Sequence, residues 1–245
     1  MALRRIFSFF LTCVMVLNIC FINANAATAT NPILSSVDYR LDGEQVVETI
    51  HIYENGELYS TIVRTVYPSG DMNVLLNGTR QETLSGANYV YYLSLVGISQ
   101  VFRESDINAL SQNSLSRTSN FGCGHNDKIH SYIGRTTQTY YNSEIAGWRS
   151  ASAIATALVA KFAAPYTGLM VLADIILNAI EVNSPDKMVV TESNYDVLTV
   201  GDNSYLFSCH HFLVGEYTWT QNHYTNEFEY ILSDSYDYYT QSIGG

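Results

Sequence analysis

The sequence predicts an α+β fold: an antiparallel β-meander, a central apolar helical hairpin, then a C-terminal antiparallel β region. Three observations predict it. Residues 46–84 alternate with period two between turn dipeptides. Residues 143–182 change to a helical period and are almost wholly apolar, and residues 188–239 return to β-branched and aromatic residues. Strands, then helices, then strands again is the pattern of a segregated α+β domain with antiparallel sheet.

The elements follow in order. MALRRIFSFFLTCVMVLNICFINANA, residues 1–26, has a short basic start at Arg4 and Arg5, an uncharged apolar run from Ile6 to Ile22, and the small-residue pattern Ala24-Asn25-Ala26. That is the layout of a secretory signal peptide, with an uncleaved anchor as the alternative. QSIGG at the other end carries no apolar tail and no basic stop, so release to the extracellular medium is the expected fate. Residues 27–36 are small and polar and read as a flexible start. Val46, Glu48, Ile50 and Ile52 then alternate with Val47, Thr49, His51 and Tyr53, and Asn55-Gly56 supplies a hairpin turn because both residues tolerate positive φ. Leu58–Val66, Met72–Leu76 and, after Asn77-Gly78, Thr79–Leu84 complete the meander, and Tyr89–Val96 has strand composition. Ser105-Asp106 can cap a short helix through Leu110, before a Ser/Asn-rich link and an irregular segment, FGCGHNDKIHSYIG. The spacing then predicts one helix from about 143 to 164 and, past Pro165, a second to about Val182, stopped by Asn183-Ser184-Pro185. Met188–Glu192, Tyr195–Val200 and Tyr205–Val214 are the next strands, with Gly201-Asp202-Asn203-Ser204 as the hairpin between the last two. The expected organisation is thus residues 1–26 as leader, 27–120 as the meander region, and 121–245 as the hairpin with the C-terminal sheet, forming one compact unit with the meander.

Charge narrows the partners. Loss of residues 1–26 removes Arg4 and Arg5 and no acid, so 12 Lys and Arg become 10 against 23 Asp and Glu, a net −13. That field repels phosphate backbones, so nucleic acid is not an expected partner. The 219 residues left of 245 suit one domain or two small ones, and 47% hydrophobic residues suffice for a real core.

On the first helix Trp148, Ile154, Leu158 and Phe162 share a wide face with Ala151, Ala155 and Val159, while the opposite face is built of small residues. The large face can lie on a sheet, and the small face lets another backbone approach. On the second, Thr167, Asp174, Asn178 and Glu181 form a narrow polar stripe on a body that includes Leu169, Leu172 and Ile176. A span needs about 20 uninterrupted apolar residues, which neither run offers. Asp174 near the centre of a membrane would cost about 2.5–3.5 kcal/mol. The resting structure expected is a hairpin in a soluble core, and conditional insertion into a membrane is the second reading.

The segment YYNSEIAGWRSASAIATALVAKFAAPYTG, with the leader and the chain length, resembles the large secreted bacteriocins of Gram-positive bacteria of the geobacillin type. The resemblance is one of organisation and transfers no functional residue. It implies an antibacterial protein acting on a target-cell membrane or surface component through the hairpin, with an immunity protein as a further partner. The acidic net charge departs from the basic charge common in smaller membrane-active peptides.

Cysteine and histidine supply the other candidate chemistry. Cys13 and Cys20 lie in the leader, so Cys123 and Cys209 remain, and two cysteines in an exported chain most simply form one disulfide. Such a bridge would contribute about 4–5 kcal/mol on the chain-entropy model. It would bring His125 beside His210 or His211. His125, His130, His210 and His211, with Asp127, are therefore candidate metal ligands or acid–base groups, Zn²⁺ being the ion such a set would take. The alternative is that the histidines merely flank a bridge, with no cofactor. No GxSxG, P-loop, dinucleotide or EF-hand motif occurs, so an enzyme is the weaker expectation beside a toxin-like protein or a binding module. For the binding module the tail aromatics Tyr217, Trp219, Tyr224, Phe228, Tyr230, Tyr236, Tyr238 and Tyr239 would form a face for glycan or protein.

Overall fold

A computed structural model describes residues 33–103, 106, 123, 125 and 127–242. Two antiparallel sheets enclose a layer of helices, the α+β arrangement that the sequence predicts. The first sheet is made of β1 (Ile33–Asp42), β2 (Gln45–Glu54), β3 (Glu57–Val66), β4 (Met72–Leu76), β5 (Thr79–Arg80) and β6 (Ser99–Arg103), in the order β5-β4-β3-β2-β1-β6. The second holds β7 (Ile129–Tyr141), β8 (Lys187–Leu198), β9 (Tyr205–Gln221) and β10 (Phe228–Ser242), in the order β10-β9-β8-β7. The helices are α1 (Tyr89–Ser94), α2 (Asn142–Ile145), α3 (Ala151–Val159) and α4 (Tyr166–Asn183).

The turns carry the meander as expected. Asn55-Gly56 and Asn77-Gly78 both have positive φ at the two central positions, 52° and 82° in one, 48° and 80° in the other, which matches the right-handed twist of the strands they join. The alternation then puts Val37, Val46, Ile50, Ile52, Ile62, Val66, Met72 and Val74 wholly inside.

Five expectations are corrected. Within Tyr89–Val96, residues Tyr89–Ser94 form a helix: the Asn88 side chain accepts from the Tyr91 amide at 3.1 Å, and Tyr92 is buried in the core. Residues 79–84 pair only over Thr79–Arg80, with one further bridge from Leu84 to Met72. The first core helix does not run unbroken from 143. A single turn, α2, ends at Ile145 with Ala146 as its C-cap, Trp148 packs edge-on against Tyr140 with centroids 4.6 Å apart, and Ser150 caps a new helix by accepting from the Ala153 amide. Residues 33–36, expected in a flexible start, belong to β1, and IHSYIG belongs to the 13-residue strand β7. The short helix expected through Leu110 and the leader lie outside the described residues, except for Asp106.

One core unites both sheets with α3 and α4. Phe162 meets Phe212 of β9 at 5.6 Å, and Tyr166 meets Phe102 of β6 at 5.5 Å, so the turn between the two helices touches both sheets. The small face of α3 lies on the first sheet, where Ser152 Oγ donates to the Tyr53 carbonyl at 2.9 Å and the Thr156 and Ser60 hydroxyls lie 3.0 Å apart. Gly168 of α4 is needed against β10: a Cβ there would lie 2.5 Å from Thr240 Oγ1. Ser184, in the left-handed region at φ 46°, ends α4 with its amide on the Ile180 carbonyl.

Candidate functional sites: the helix clamp, the thiol–imidazole cluster and the aromatic face

The residues expected to form a membrane-active hairpin are core residues in this fold. Ile154, Leu158, Phe162, Leu169, Leu172 and Ile176 are fully buried, and Trp148 nearly so. Each of the aliphatic and Phe side chains among them contributes about 1.5–3 kcal/mol by burial. The polar stripe lies at the surface, with Asn178 and Glu181 exposed and Asp174 half-buried. Asn178 Nδ2 donates to the Asp174 carbonyl of its own helix at 2.9 Å.

A buried charged clamp holds the turn between α3 and α4. Arg64 of β3 and Glu48 of β2 are both fully buried, with Arg64 Nε 3.0 Å from Glu48 Oε2. Arg64 Nη2 also donates to the Ala163 and Ala164 carbonyls at 3.3 and 3.0 Å and to the Tyr92 hydroxyl. From the other sheet, Glu192 Oε2 accepts from the Ala163 amide at 3.3 Å, and its Oε1 lies 2.9 Å from His210 Nδ1. Burial pushes the Glu48 carboxyl above its usual range, against the pull of Arg64 and the Tyr39 hydroxyl. Burial also raises Tyr92, which stays a neutral phenol able to donate to the Ala163 carbonyl. Strand parity is their one signal in the sequence: Glu48 and Arg64 occupy inward positions beside Val46 and Ile50, and Ile62 and Val66.

The cysteines do not form the expected bridge in this structure: both are free thiols. They are nonetheless neighbours. Cys123 Sγ, Cys209 Sγ and a ring nitrogen of His130 lie within 4.8 Å of one another, and His130 Nε2 is 3.1 Å from Cys123 Sγ. Strand register explains the meeting. His130 of β7 faces Val197 of β8, whose neighbour Tyr195 faces Cys209 of β9, all on the sheet face away from the helices. Cys209 and Val197 are fully buried there, under Cys123. The Cys123 carbonyl accepts from Gln241 Nε2 at 2.8 Å, which fixes that residue over β9 and β10. Burial and the nearby Cys123 sulfur raise the Cys209 thiol far above its ordinary value, and burial lowers the His130 imidazole.

The histidine expectation is corrected accordingly. His125 packs on Phe207 with centroids 4.8 Å apart, and the imidazole beside the sulfurs is that of His130. His210 and His211, consecutive on a strand, point to opposite faces. His210 is buried against Glu192 and Asn194, while His211 Nε2 lies 2.6 Å from Asp237 Oδ1 and stacks on Tyr239. The four histidines therefore do not form one metal centre. Asp127 is exposed and paired with Lys128 at 2.9 Å.

The tail aromatics divide between the two faces of the second sheet. Tyr238 is buried in the core and the Tyr236 hydroxyl is buried too. Tyr217, Trp219, Phe228 and Tyr230 gather on the outer face, and the register brings Tyr141 of β7 and Lys187 of β8 beside them. The ring pairs are Trp219–Tyr230 at 4.5 Å, Trp219–Phe228 at 6.1 Å and Tyr141–Tyr230 at 6.2 Å. Lys187 Nζ sits 4.2 Å from the Tyr217 ring centroid and 4.3 Å from that of Tyr230. Exposure is high at Trp219 (48%), Tyr141 (49%) and Phe228 (60%), and Tyr224 in the β9–β10 turn is almost fully exposed. The part played by Tyr141 and Lys187, distant in sequence, was not legible before the strands were paired. No family model matches the chain, and neither a curated protein nor a solved structure matches it.

Proposed function

We propose that the protein is an extracellular binding module that docks uncharged glycan of a cell envelope on the outer face of its second sheet. The observation that supports this reading most is the cluster of Tyr141, Tyr217, Trp219, Phe228 and Tyr230 around Lys187. Aromatic bodies with polar tips suit wet recognition surfaces, where the ring covers apolar C–H groups and the tip reaches hydroxyls. Amide and carboxylate groups adjoin the cluster: Asn222 donates to Glu229, Gln221 Nε2 donates to Asn226 Oδ1 at 2.7 Å, and Asp186 accepts from the Trp219 amide at 2.8 Å. A chain of net charge −11 disfavours anionic polymers over neutral ones. The test is a glycan array and a cell-wall pull-down with wild type and Trp219→Ala. Retention by wild type and a loss of at least tenfold in the variant, with unchanged thermal stability, is the expected result. Blank arrays and a blank pull-down, or binding that ignores Trp219, overturn the reading, and capture of a protein in place of glycan reassigns the face.

A second reading is antibacterial action on membranes through the hairpin. It draws support from α4, whose 18 residues are long and apolar enough to cross a membrane by length and composition alone, although 44% of them are buried inside this fold. Insertion would require the Arg64–Glu48 and Glu192 contacts to the helix turn to break first. Dye release from liposomes by wild type, abolished in Leu172→Asp variants that still fold, is the result this reading requires. Absence of release at any concentration of folded protein removes it.

A further inference from the structure

We propose that Cys123, Cys209 and His130 form a binding site for one thiophilic d¹⁰ cation of the Zn²⁺ type, clipping the Cys123 segment onto the outer face of the second sheet. The donors are the right ones: two sulfurs and one imidazole nitrogen, all within 4.8 Å of one another. In a tetrahedral zinc site the sulfurs stand about 2.3 Å and the nitrogen about 2.0–2.1 Å from the metal, so neighbouring donors are separated by about 3.3–3.8 Å. The 3.1 Å contact between Cys123 Sγ and His130 Nε2 is close to that spacing, and small rotamer changes bring the third donor to it. The donors are also held from different directions. His130 and Cys209 sit on β7 and β9, separated by β8, while Cys123 precedes β7 and is tied down through its carbonyl by Gln241.

The surroundings favour such an ion over an oxygen-seeking one. Val197, Tyr195, Leu206, Phe207 and Tyr239 pack around the two sulfurs, and no carboxylate joins the group among the described residues. Soft thiolates with one imidazole select Zn²⁺ or Cu⁺ over Mg²⁺ or Ca²⁺. Binding releases one proton from each thiol and leaves the fourth position to water, so the ion's two positive charges are balanced by two thiolates. The stabilising effect would be local, added to the hold that Gln241 already has on Cys123.

The experiment uses full-length mature protein kept reduced, with Zn²⁺ and with Co²⁺ as the spectroscopic probe. One equivalent of Co²⁺ is expected to give thiolate-to-cobalt charge-transfer absorption together with the intense visible bands of a tetrahedral ion, both erased by Zn²⁺. Cys123→Ser and Cys209→Ser should lose the charge-transfer band. His130→Gln should keep a weakened band and bind Zn²⁺ at least tenfold less tightly. Zn²⁺ should also slow modification of both thiols by a thiol reagent and raise the Tm of wild type while leaving that of Cys123→Ser unchanged, a readout that does not need the more buried Cys209 variant to fold. Reduced wild type that shows no charge-transfer band, or a band that survives in Cys123→Ser, overturns the site. A disulfide that re-forms under reducing conditions and excludes Co²⁺ also overturns it.

Discussion

Replacing Arg64 with Met removes the clamp while keeping most of the side-chain volume. The guanidinium holds Glu48 at 3.0 Å and donates to the carbonyls of Ala163 and Ala164 at 3.3 and 3.0 Å, all out of contact with water. Breaking a fully buried ion pair by deleting one partner costs about 3–5 kcal/mol, because the other charge stays buried without compensation. Two carbonyls left unpaired add about 1–3 kcal/mol each if nothing relaxes to meet them. With relaxation of the helix turn relieving most of the carbonyl cost, a loss of about 4–6 kcal/mol overall is the expected value, and at about 2–4 °C per kcal/mol for a chain of this size the Tm should fall by about 8–24 °C. Urea unfolding with an unchanged m-value measures it. The pH dependence carries the sign. Without Arg64, burial acts on Glu48 against the Tyr39 hydroxyl alone, so its folded-state pKa rises further above the unfolded value. A raised carboxyl contributes stability that is complete below the unfolded pKa of about 4.3 and is lost as pH rises through the folded pKa. The deficit of the variant should therefore shrink on acidification from neutral pH. Adding Glu48→Gln should recover a substantial part of it at neutral pH, since the orphan charge is then gone. A deficit below about 1 kcal/mol, or a double variant no more stable than Arg64→Met, would refute the reasoning.

Gly168→Ala should destabilise by about 1–3 kcal/mol in spite of alanine's better helix propensity, because the new methyl meets Thr240 at 2.5 Å. A double-mutant cycle with Thr240→Ala, which deletes the two nearest atoms, should then show a coupling of at least about 0.5 kcal/mol, and additive effects would remove the steric explanation. Asn88→Ala takes the cap from α1 together with the Nδ2 donations to the Tyr205 and Ser208 hydroxyls and should cost at least about 0.5–2 kcal/mol in chemical denaturation, and a neutral effect would remove the capping role. Glu216 is buried, bonded to Asn183 Nδ2 at 2.7 Å and raised above the usual carboxylate range chiefly by burial, with Asp234 adding to it. Its stabilising contribution is complete below the ordinary range and lost as pH rises through the raised value. Relative to Glu216→Gln, wild type should thus lose stability as pH climbs from about 4 toward neutral, and a pH-independent difference would exclude this.

Local signals in the chain carry far in this fold because they act over a few residues. Asn55-Gly56 and Asn77-Gly78 fix two hairpins, since positive φ at consecutive positions is a property of those residues in any context. Period-two alternation places Val46, Ile50 and Ile52 inside, and the apolar hairpin of residues 151–183 reads as core because nothing else could cover it in water. Tyr89–Val96 escapes such reading: tyrosine and valine favour strands only when packing on a pleated surface, and here an Asn88 cap and a buried partner for Tyr92 made the helix.

What only the tertiary structure decided is who meets whom across the sheets. The amino-acid sequence by itself determined which side chains carry charge, thiol, imidazole and ring, and on which parity of a strand each stands. It did not determine register between strands far apart in sequence, because a pairing of β7 with β8, or of β8 with β9, is chosen by the summed burial of many side chains and by no single dipeptide. Register put His130, not His125, beside the sulfurs, sent His210 and His211 to opposite faces, and set Tyr141 and Lys187 among Trp219, Phe228 and Tyr230. Arg64 and Glu48 show the same limit from inside the core. Each is an unpaired charge on an apolar face when its strand is read alone, and the Ala163-Ala164 carbonyls, some hundred residues further along, add to Glu48 as partners of a guanidinium that water does not reach.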